Sequence, residues 1–322
     1  MDEINIVSLA EKIPTEADAY RFLEDLRWNG EPVCPHCGSV RKPYFLKPAN
    51  GKTRKTRTGS ASERRVWKCA DCRKQFSVLT GTIFHGTKIP VRKWVFVIFE
   101  MCSSKNGVAA REIQRKYDLT EKSAWFMLHR IREAMKREPM AGLLSGRVVA
   151  DETWIGGKPS NRHGHDPKKN MPGIGHSDKQ PIMTLISRET GEVRSQAIPN
   201  VSAPNLRSVL AENVDPGETH LYTDAALAYR RMAKEFGDHS YVDHSKGEYV
   251  RGDVSTNQAE AFFSQLKRSL DGTHHHVSRE HLGRYLAEFD FRFSTNKESD
   301  TARMQRLLGQ VRGRRLSYRP AG

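Results

Sequence analysis

The stretch DVSTNQAEAFFSQLKRSL, residues 253–270, decides how the second half of this 322-residue chain is read. At about 100° per residue, the turn of an α-helix, Ala259, Phe262, Phe263, Leu266 and Leu270 share one face. Asn257, Glu260, Ser264, Lys267 and Arg268 share the other. A helix divided in this way rests its apolar stripe on a hydrophobic layer and turns its polar line outward. The layer it needs lies upstream. GRVVADETWIGG (146–157), THLYTDAA (219–226) and the shorter HSYVDHS (239–245) read as strands. PIMTLISRETGEVRSQAI (181–198) predicts a hairpin turning at Glu189, Thr190 and Gly191, and APNLRSVLAENV (203–214) a helix. Strands interleaved with helices predict a mixed α/β domain over 146–298. Residues 158–180, polar and broken by Gly and Pro, predict a loop.

Two of these strands end in acids. Asp151 and Glu152 close VVADETW, and Asp224 closes the apolar part of LYTDAALAY. A carboxylate just beyond a hydrophobic strand stands at a sheet edge, a good place to hold a divalent ion. One such acid alone is more often a loop or cap residue. Two in one domain, joined by Glu260 on a helix, make a candidate cation site. Asn257 and Glu260 are one helical turn apart, so either reaches the same place. Asn257 also fits a plain capping role, since DVSTNQAE is full of capping residues.

The first block, residues 1–82, holds four of the five cysteines. Cys34 and Cys37 in CPHCGS, with Cys69 and Cys72 in WKCADCRKQF, form two C-x-x-C knuckles. That spacing predicts one structural Zn²⁺ in a tetrahedral four-thiolate ribbon. Cys102 stands alone in an apolar run and reads as a small core residue. Between the knuckles the chain is strongly basic: residues 41–74 carry twelve Lys or Arg against Glu63 and Asp71. Residues 299–322 read as a basic C-terminal tail, with six Arg and no acid from 301 onward. The net charge of +15 and pI near 9.7 point to a polyanionic partner.

Between these blocks, residues 83–140 carry helical periodicity. VAAREIQRKYDLTEKSAWFMLHRIREAM (108–135) predicts two helices broken at DLT, with Thr120 capping the second. Ala124, Met127, Leu128 and Ile131 make its apolar stripe, which puts Lys122, His129, Arg130 and Arg132 on the opposite side. Two helices with a short turn and a basic second helix fit a helix-turn-helix, so Lys122, Arg130 and Arg132 are expected to touch DNA. VRKWVFVIFEM (91–101) is expected to pack beneath the pair. Its apolar run is too short to span a bilayer. The acidic N-terminal stretch lacks a signal-peptide core, so a cytoplasmic protein is expected, with cysteines reduced or metal-bound.

Taken together, CPHCGS, WKCADCRKQFSVLTGTIFHGTKIPVRKW, VVADETWIGG, YTDAALAY and HSKGEYVRGDVSTNQAEAFFSQLKRSLDGTHHHVSREHLGRYLAEFDFRFSTN carry a likeness. They resemble the DDE transposases of bacterial insertion sequences. More narrowly, they resemble the insertion-sequence fifteen-ninety-five family, with its ISXO-two-like transposase domain. The resemblance covers about residues 20–297. It implies an RNase H-like catalytic domain with an acidic site at the sheet edge, preceded by the ribbon and the helical block. It implies Mg²⁺ or Mn²⁺ at that site and cleavage and joining of double-stranded DNA at the element's ends and target. Asp151 matches the family's first acid and Asp224 its second. Asn257 and Lys267 match the asparagine and the lysine that the family carries on the following helix. In the broader class the third position is a Glu, which Glu260 matches. The resemblance further implies a homo-oligomer holding two DNA ends at the nucleoid, with no membrane role. A regulator that binds DNA with the ribbon and helices alone, a domesticated inactive relic, and a host nuclease are the competing readings. The histidine run His274 to His276 is offered to a phosphate or to solvent, and Asp290 with Arg292 to each other or to the site.

Overall fold

The computed structural model describes residues 3–39, 41, 43–47, 55, 63–137, 141–156, 179–226, 228–229, 235–236 and 238–317. The greater part of the basic stretch between the knuckles, and the loop expected over 158–180 as far as 178, lie outside the described residues. The chain divides into two compact units. One comprises Met1–Ser104, Val108–Met135 and Glu298–Gly322; the other comprises Lys105–Gly107 and Lys136–Lys297.

In the first unit, α1 (Ile6–Lys12) and α2 (Glu16–Trp28) each begin with a capping box, built on Asn5 with Ser8 and on Thr15 with Asp18. Three two-residue strands, β1 (Tyr44–Phe45), β2 (Trp67–Lys68) and β3 (Gln75–Phe76), form an antiparallel ribbon. The next helix, α3 (Val91–Ser103), buries Trp94, Val95, Ile98, Phe99, Met101 and Cys102. Its N-terminus has no side-chain cap of its own. The Glu16 carboxylate accepts instead from Val91 N at 2.6 Å and Arg92 N at 3.0 Å, placing negative charge at the positive end of the helix dipole. Then come α4 (Ala110–Tyr117) and α5 (Glu121–Met135), separated by Asp118 in the left-handed region. Thr120 Oγ1 accepts from Ser123 N at 3.2 Å, the cap expected for α5. α3 does lie against the pair: Tyr117 O–H donates to Glu100 at 2.6 Å and its ring stacks on Phe96.

The last part of this unit departs from the expected tail. From Asp300 to Gly309 the chain forms a helix, α9 in chain order, capped by Ser299 and burying Met304, Leu307 and Leu308 against α2 and α3. The arginines there are spaced around leucines at helical intervals, so net charge masked an amphipathic face.

The second unit is built on a five-stranded mixed sheet. Its strands are β4 (Leu144–Ile155), β5 (Gln180–Ser187), β6 (Val193–Ala197), β7 (Val214–Asp224) and β8 (Asp238–Val242). Their order is β6-β5-β4-β7-β8, with β6, β5 and β4 antiparallel and β4, β7 and β8 parallel. The β5–β6 turn falls where it was expected, with Gly191 at φ 73°. On one face α6 (Ala203–Asn213) packs Leu206, Val209 and Leu210 against Val148, Ala150, Leu185 and Leu221. A short hairpin, β9 (Val250–Arg251) with β10 (Val254–Ser255), leads to the helices of the other face, α7 (Asn257–Ser269) and α8 (Arg279–Ser294). There Ala259, Phe262, Phe263, Leu266 and Leu270 meet Val149, Ile182, Ile186 and Tyr222, as the helical wheel required. The result is helix, sheet and helix in three layers, a mixed α/β unit.

Phe262 is 1% exposed at the centre of that layer. Truncating it to Ala is expected to cost about 3–5 kcal/mol, read as a lower urea midpoint with an unchanged m-value.

Candidate active site

The two aspartates are positioned by parallel pairing. In the β4–β7 ladder Val149 stands opposite Tyr222, and both point into the core beneath α7. The pairing ends there; two residues further along each strand, on the same face as Val149 and Tyr222, are Asp151 and Asp224. Adjacent strands are about 4.8 Å apart, so the two carboxyls share one small space. Asp224 is steadied by Ala226 N, which donates to its Oδ1 at 3.0 Å. Asp151 Oδ1 accepts from Glu152 N at 2.7 Å.

Electrostatics shows what else reaches this space. The Asp151 carboxyl is pushed up to about 7, chiefly by burial, and further by the negative charges of Asp224 and Glu260. The Glu152 backbone N–H and the positive charge of Lys267 oppose that rise. The polar line of α7 thus faces the aspartates: Glu260 and Lys267 are both exposed on the helix yet act on Asp151. Asn257 is exposed as the first residue of α7; the N-cap is Thr256, so the capping alternative for Asn257 does not hold.

Two features escaped sequence reading. His244, just beyond β8, has Nε2 3.0 Å from Thr256 Oγ1 and 3.9 Å from Glu260 Oε1. Nothing local to HSK announces that neighbour; only the sheet order brings it there. Glu152 points to the opposite face from Asp151, where the fully buried Tyr229 hydroxyl donates to its carboxyl. Burial pushes Glu152 up to about 8 despite that hydrogen bond, with the Asp151 and Asp224 charges adding to the rise. Strand alternation separates the two acids by face, a signal present in VVADETW itself.

Other expected side chains are placed elsewhere. Lys122 is exposed on α5, as its face required. Arg130 and Arg132 are not: they are 5% and 1% exposed, and His129 is fully buried. The Arg130 guanidinium donates to His85 O at 2.7 Å and lies over the Trp94 and Phe126 rings. Burial, with the Arg315 charge, lowers it to about 10. The expected outward face is thus corrected: Arg130 is enclosed by His85 O, Trp94 and Phe126, and the same helix accepts at Glu133 O from Arg314 Nη1 at 3.0 Å. Arg292 pairs with Glu288 at 2.7 Å inside the core, whereas Asp290 accepts from Ser195 N at 2.8 Å, so these two do not pair with each other. His274 packs its ring on Tyr285 at 4.9 Å, while His275 and His276 are both exposed.

The four knuckle cysteines converge, with all sulfurs within 4.8 Å of one another. Sulfurs 2.3 Å from a tetrahedral zinc would be about 3.8 Å apart. The Cys34–Cys72 and Cys37–Cys69 separations are both 3.7 Å, so the cluster fits that ion. Cys69 is lowered to about 7, first by the Cys72 backbone N–H. Cys37 rises to about 12: the Ser39 N–H favours its thiolate, but desolvation and the other three sulfurs outweigh it.

Two measurements follow from this geometry. Elemental analysis is expected to find one zinc per chain, lost in Cys69→Ser together with the ribbon's Trp67 fluorescence signature. The raised carboxyls set a pH dependence. A group that holds its proton more tightly when folded favours the folded state at low pH, and that advantage is lost as pH climbs from the unfolded value through the folded one. For Asp151 the window runs from 3.8 to about 7. Asp151→Asn is therefore expected to stabilise the metal-free protein by about 4 kcal/mol at most near pH 8 and by little near pH 4. Thermal melts of both proteins across that range, with and without Mn²⁺, check it; the variant should also lose the Mn²⁺-induced rise in Tm.

Residues 143–294 match the family model described as the ISXO2-like transposase domain, and residues 14–75 match the transposase zinc-ribbon domain. Over 285 residues the chain is 27% identical to the "Uncharacterized protein in transposable element ISH50" of Halobacterium salinarum, covering 86% of this chain and 90% of that one. A chain in the cryo-EM structure of the simian T-cell lymphotropic virus intasome in complex with PP2A regulatory subunit B56 gamma is 13% identical. That match spans 55% of this chain and 63% of the other at a TM-score of 0.28, too loose a superposition to bear on the fold. Both matched domains contain the residues singled out by the geometry, the four thiols in one and the acidic cluster in the other. The chain belongs to the transposase family that joins this zinc ribbon to an ISXO2-like transposase domain.

Proposed function

We propose that this protein binds the ends of an insertion sequence and catalyses metal-dependent cleavage and strand transfer of double-stranded DNA, on an RNase H-like domain. One observation carries the reading: Asp151 and Asp224 stand two residues beyond the paired Val149 and Tyr222 on neighbouring parallel strands, and the Asp224, Glu260 and Lys267 charges all act on Asp151. Three carboxylates around one space are a donor set for divalent cations, with hard oxygen ligands throughout. The sheet order, three antiparallel strands followed by two parallel ones, supports the RNase H-like assignment.

Asp151, Asp224 and Glu260 would hold Mg²⁺ or Mn²⁺ there, and such ions would supply activation of the attacking water or 3′-hydroxyl and charge for the leaving oxygen. The residues divide the remaining work. Asp151 and Asp224 would hold the cations from the rigid sheet. Glu260 completes the charge from α7, and the Asn257 carbonyl one turn earlier offers a neutral ligand. Lys267 places its ammonium beside the scissile phosphate, where it offsets the negative charge that grows in the transition state. In cleavage the water oxygen bonds to phosphorus, the P–O3′ bond breaks, and a 3′-hydroxyl is released. In joining, that hydroxyl attacks a target phosphodiester and displaces its 3′-oxygen.

Lys122 on the exposed face of α5 is assigned to the duplex, together with the basic surface of the ribbon. Holding two DNA ends requires more than one copy of the chain. Among the described residues no helix is long and apolar enough to cross a membrane, and a nucleoid-associated cytoplasmic protein suits this activity.

The test uses labelled duplex taken from the DNA flanking the gene, with purified protein and Mg²⁺ or Mn²⁺. Wild type is expected to cut at the element's end. Asp151→Ala and Glu260→Ala should bind with affinity close to wild type while losing at least about 10²-fold in cleavage. Asn257→Ala is expected to lose less. Binding without any cutting in either metal would leave a DNA-binding regulator instead.

A further inference from the structure

Beside the zinc knuckles, inside the first unit, is a cavity of about 260 Å³. Its walls combine Arg27 and Trp28 of α2, Pro35 of the first knuckle, Ser77 and Thr80 after β3, and Arg312 beyond α9. The polar part is rich in donors. Among the described residues, neither guanidinium forms an ion pair with a carboxylate. Ser77 Oγ accepts from Leu79 N at 3.4 Å and Thr80 Oγ1 from Ser77 N at 3.0 Å, which leaves both hydroxyl protons to point elsewhere. The opposite wall is flat and apolar, with the Trp28 indole held edge-on by Trp67 and Phe76.

Two like charges brought together in a half-closed space repel, and the fold holds them there. Arg27 Nη1 donates to Val78 O. Arg312 is fixed through its backbone: it bridges Thr82, Ile83 N donates to Val311 O at 3.2 Å, and Gly313 N to Gly81 O at 2.9 Å. Burial, together with the neighbouring Arg312 charge, lowers Arg27 to about 10. An anion with several acceptor oxygens would relieve that repulsion, take both guanidinium groups and accept from both hydroxyls.

We propose that this cavity is a phosphate-binding site, which takes a backbone phosphate of the duplex with its sugar against the Trp28 and Pro35 wall. The assignment of the phosphate to DNA rests on the function proposed above; the site itself does not. The cavity belongs to the first unit and the acidic cluster to the second, so its role is to hold the substrate and not to cut it.

Arg312→Gln is the main variant, because the Arg312 side chain is exposed and its loss leaves the backbone bridge intact. Arg312→Lys keeps the charge. Duplex affinity is read by fluorescence anisotropy across a salt series, with zinc content checked for each protein. Arg312→Gln is expected to weaken binding about tenfold and to lower the slope of log K against log salt by about 1. Arg312→Lys should restore part of both. In a parallel arm, inorganic phosphate is expected to raise the Tm of wild type and not of Arg312→Gln. Unchanged affinity and slope, with wild type still binding duplex, would overturn the site while leaving the proposed function standing. If wild type fails to bind duplex but phosphate still shifts its Tm through Arg312, the site stands for a small phosphate ligand and the DNA assignment is overturned.

Discussion

Much of the second unit depends on the parallel pairing of β4 with β7. Parallel strands carry no turn of their own to set register, so side-chain packing and the flanking strands must do so. Val149 opposite Tyr222 locks the two strands into one alignment, and the aspartates stand two residues beyond that pair on the same face. A helix then has to cover that face. Its five apolar residues fix its rotation about its own axis, and rotation decides which polar side chains look back at the sheet edge. Glu260 and Lys267 reach Asp151 because Phe262, Phe263 and Leu266 leave the helix no other way to lie.

That chain of constraints explains why so much of this site was legible in the amino-acid sequence. The spacing in QAEAFFSQLKRSL already divides α7 into its two faces, and the structure keeps the division residue by residue. Asp151 and Asp224 stand out because each ends an apolar run. What the pattern does not contain is distance along the chain: the β4–β7 pairing joins residues some seventy apart, and His244 reaches Glu260 only because β8 lies beside β7. The same limitation works against the reading of α5. A helical wheel assigns Arg130 and Arg132 to an outer face, yet both are buried, Arg130 against His85 O and the Trp94 ring of α3. An arginine-rich C-terminal run looks like a solvated tail until its leucines are seen to fall on one side.

The two units meet their shortage of local structure in different ways. The ribbon has strands of only two residues and a core cluster of Cys34, Cys69 and Phe76 with a few aromatic neighbours. So small a core gives little stability by burial alone, and the four convergent thiols offer a site where a tetrahedral ion would supply the missing crosslink. The sheet unit has ample hydrophobic area and uses it to bury carboxyls. Asp151, Glu152 and Asp290 all have raised pKa values through burial, so here a large core bears a cost that a small one could not.

The Tyr229–Glu152 hydrogen bond has a further consequence. β4 is buried on both sides, with Val148, Val149 and Ala150 all fully enclosed. A strand with one wet face is kept in step by its hydrophobic alternation, but this one has no such guide. A slip by one residue would exchange one carboxyl for another and apolar groups for apolar groups. The phenol on the far side of the sheet donates its hydrogen bond to Glu152, and so acts as a keyway: it holds Glu152 on its own face, and in doing so leaves Asp151 facing Glu260 and Lys267.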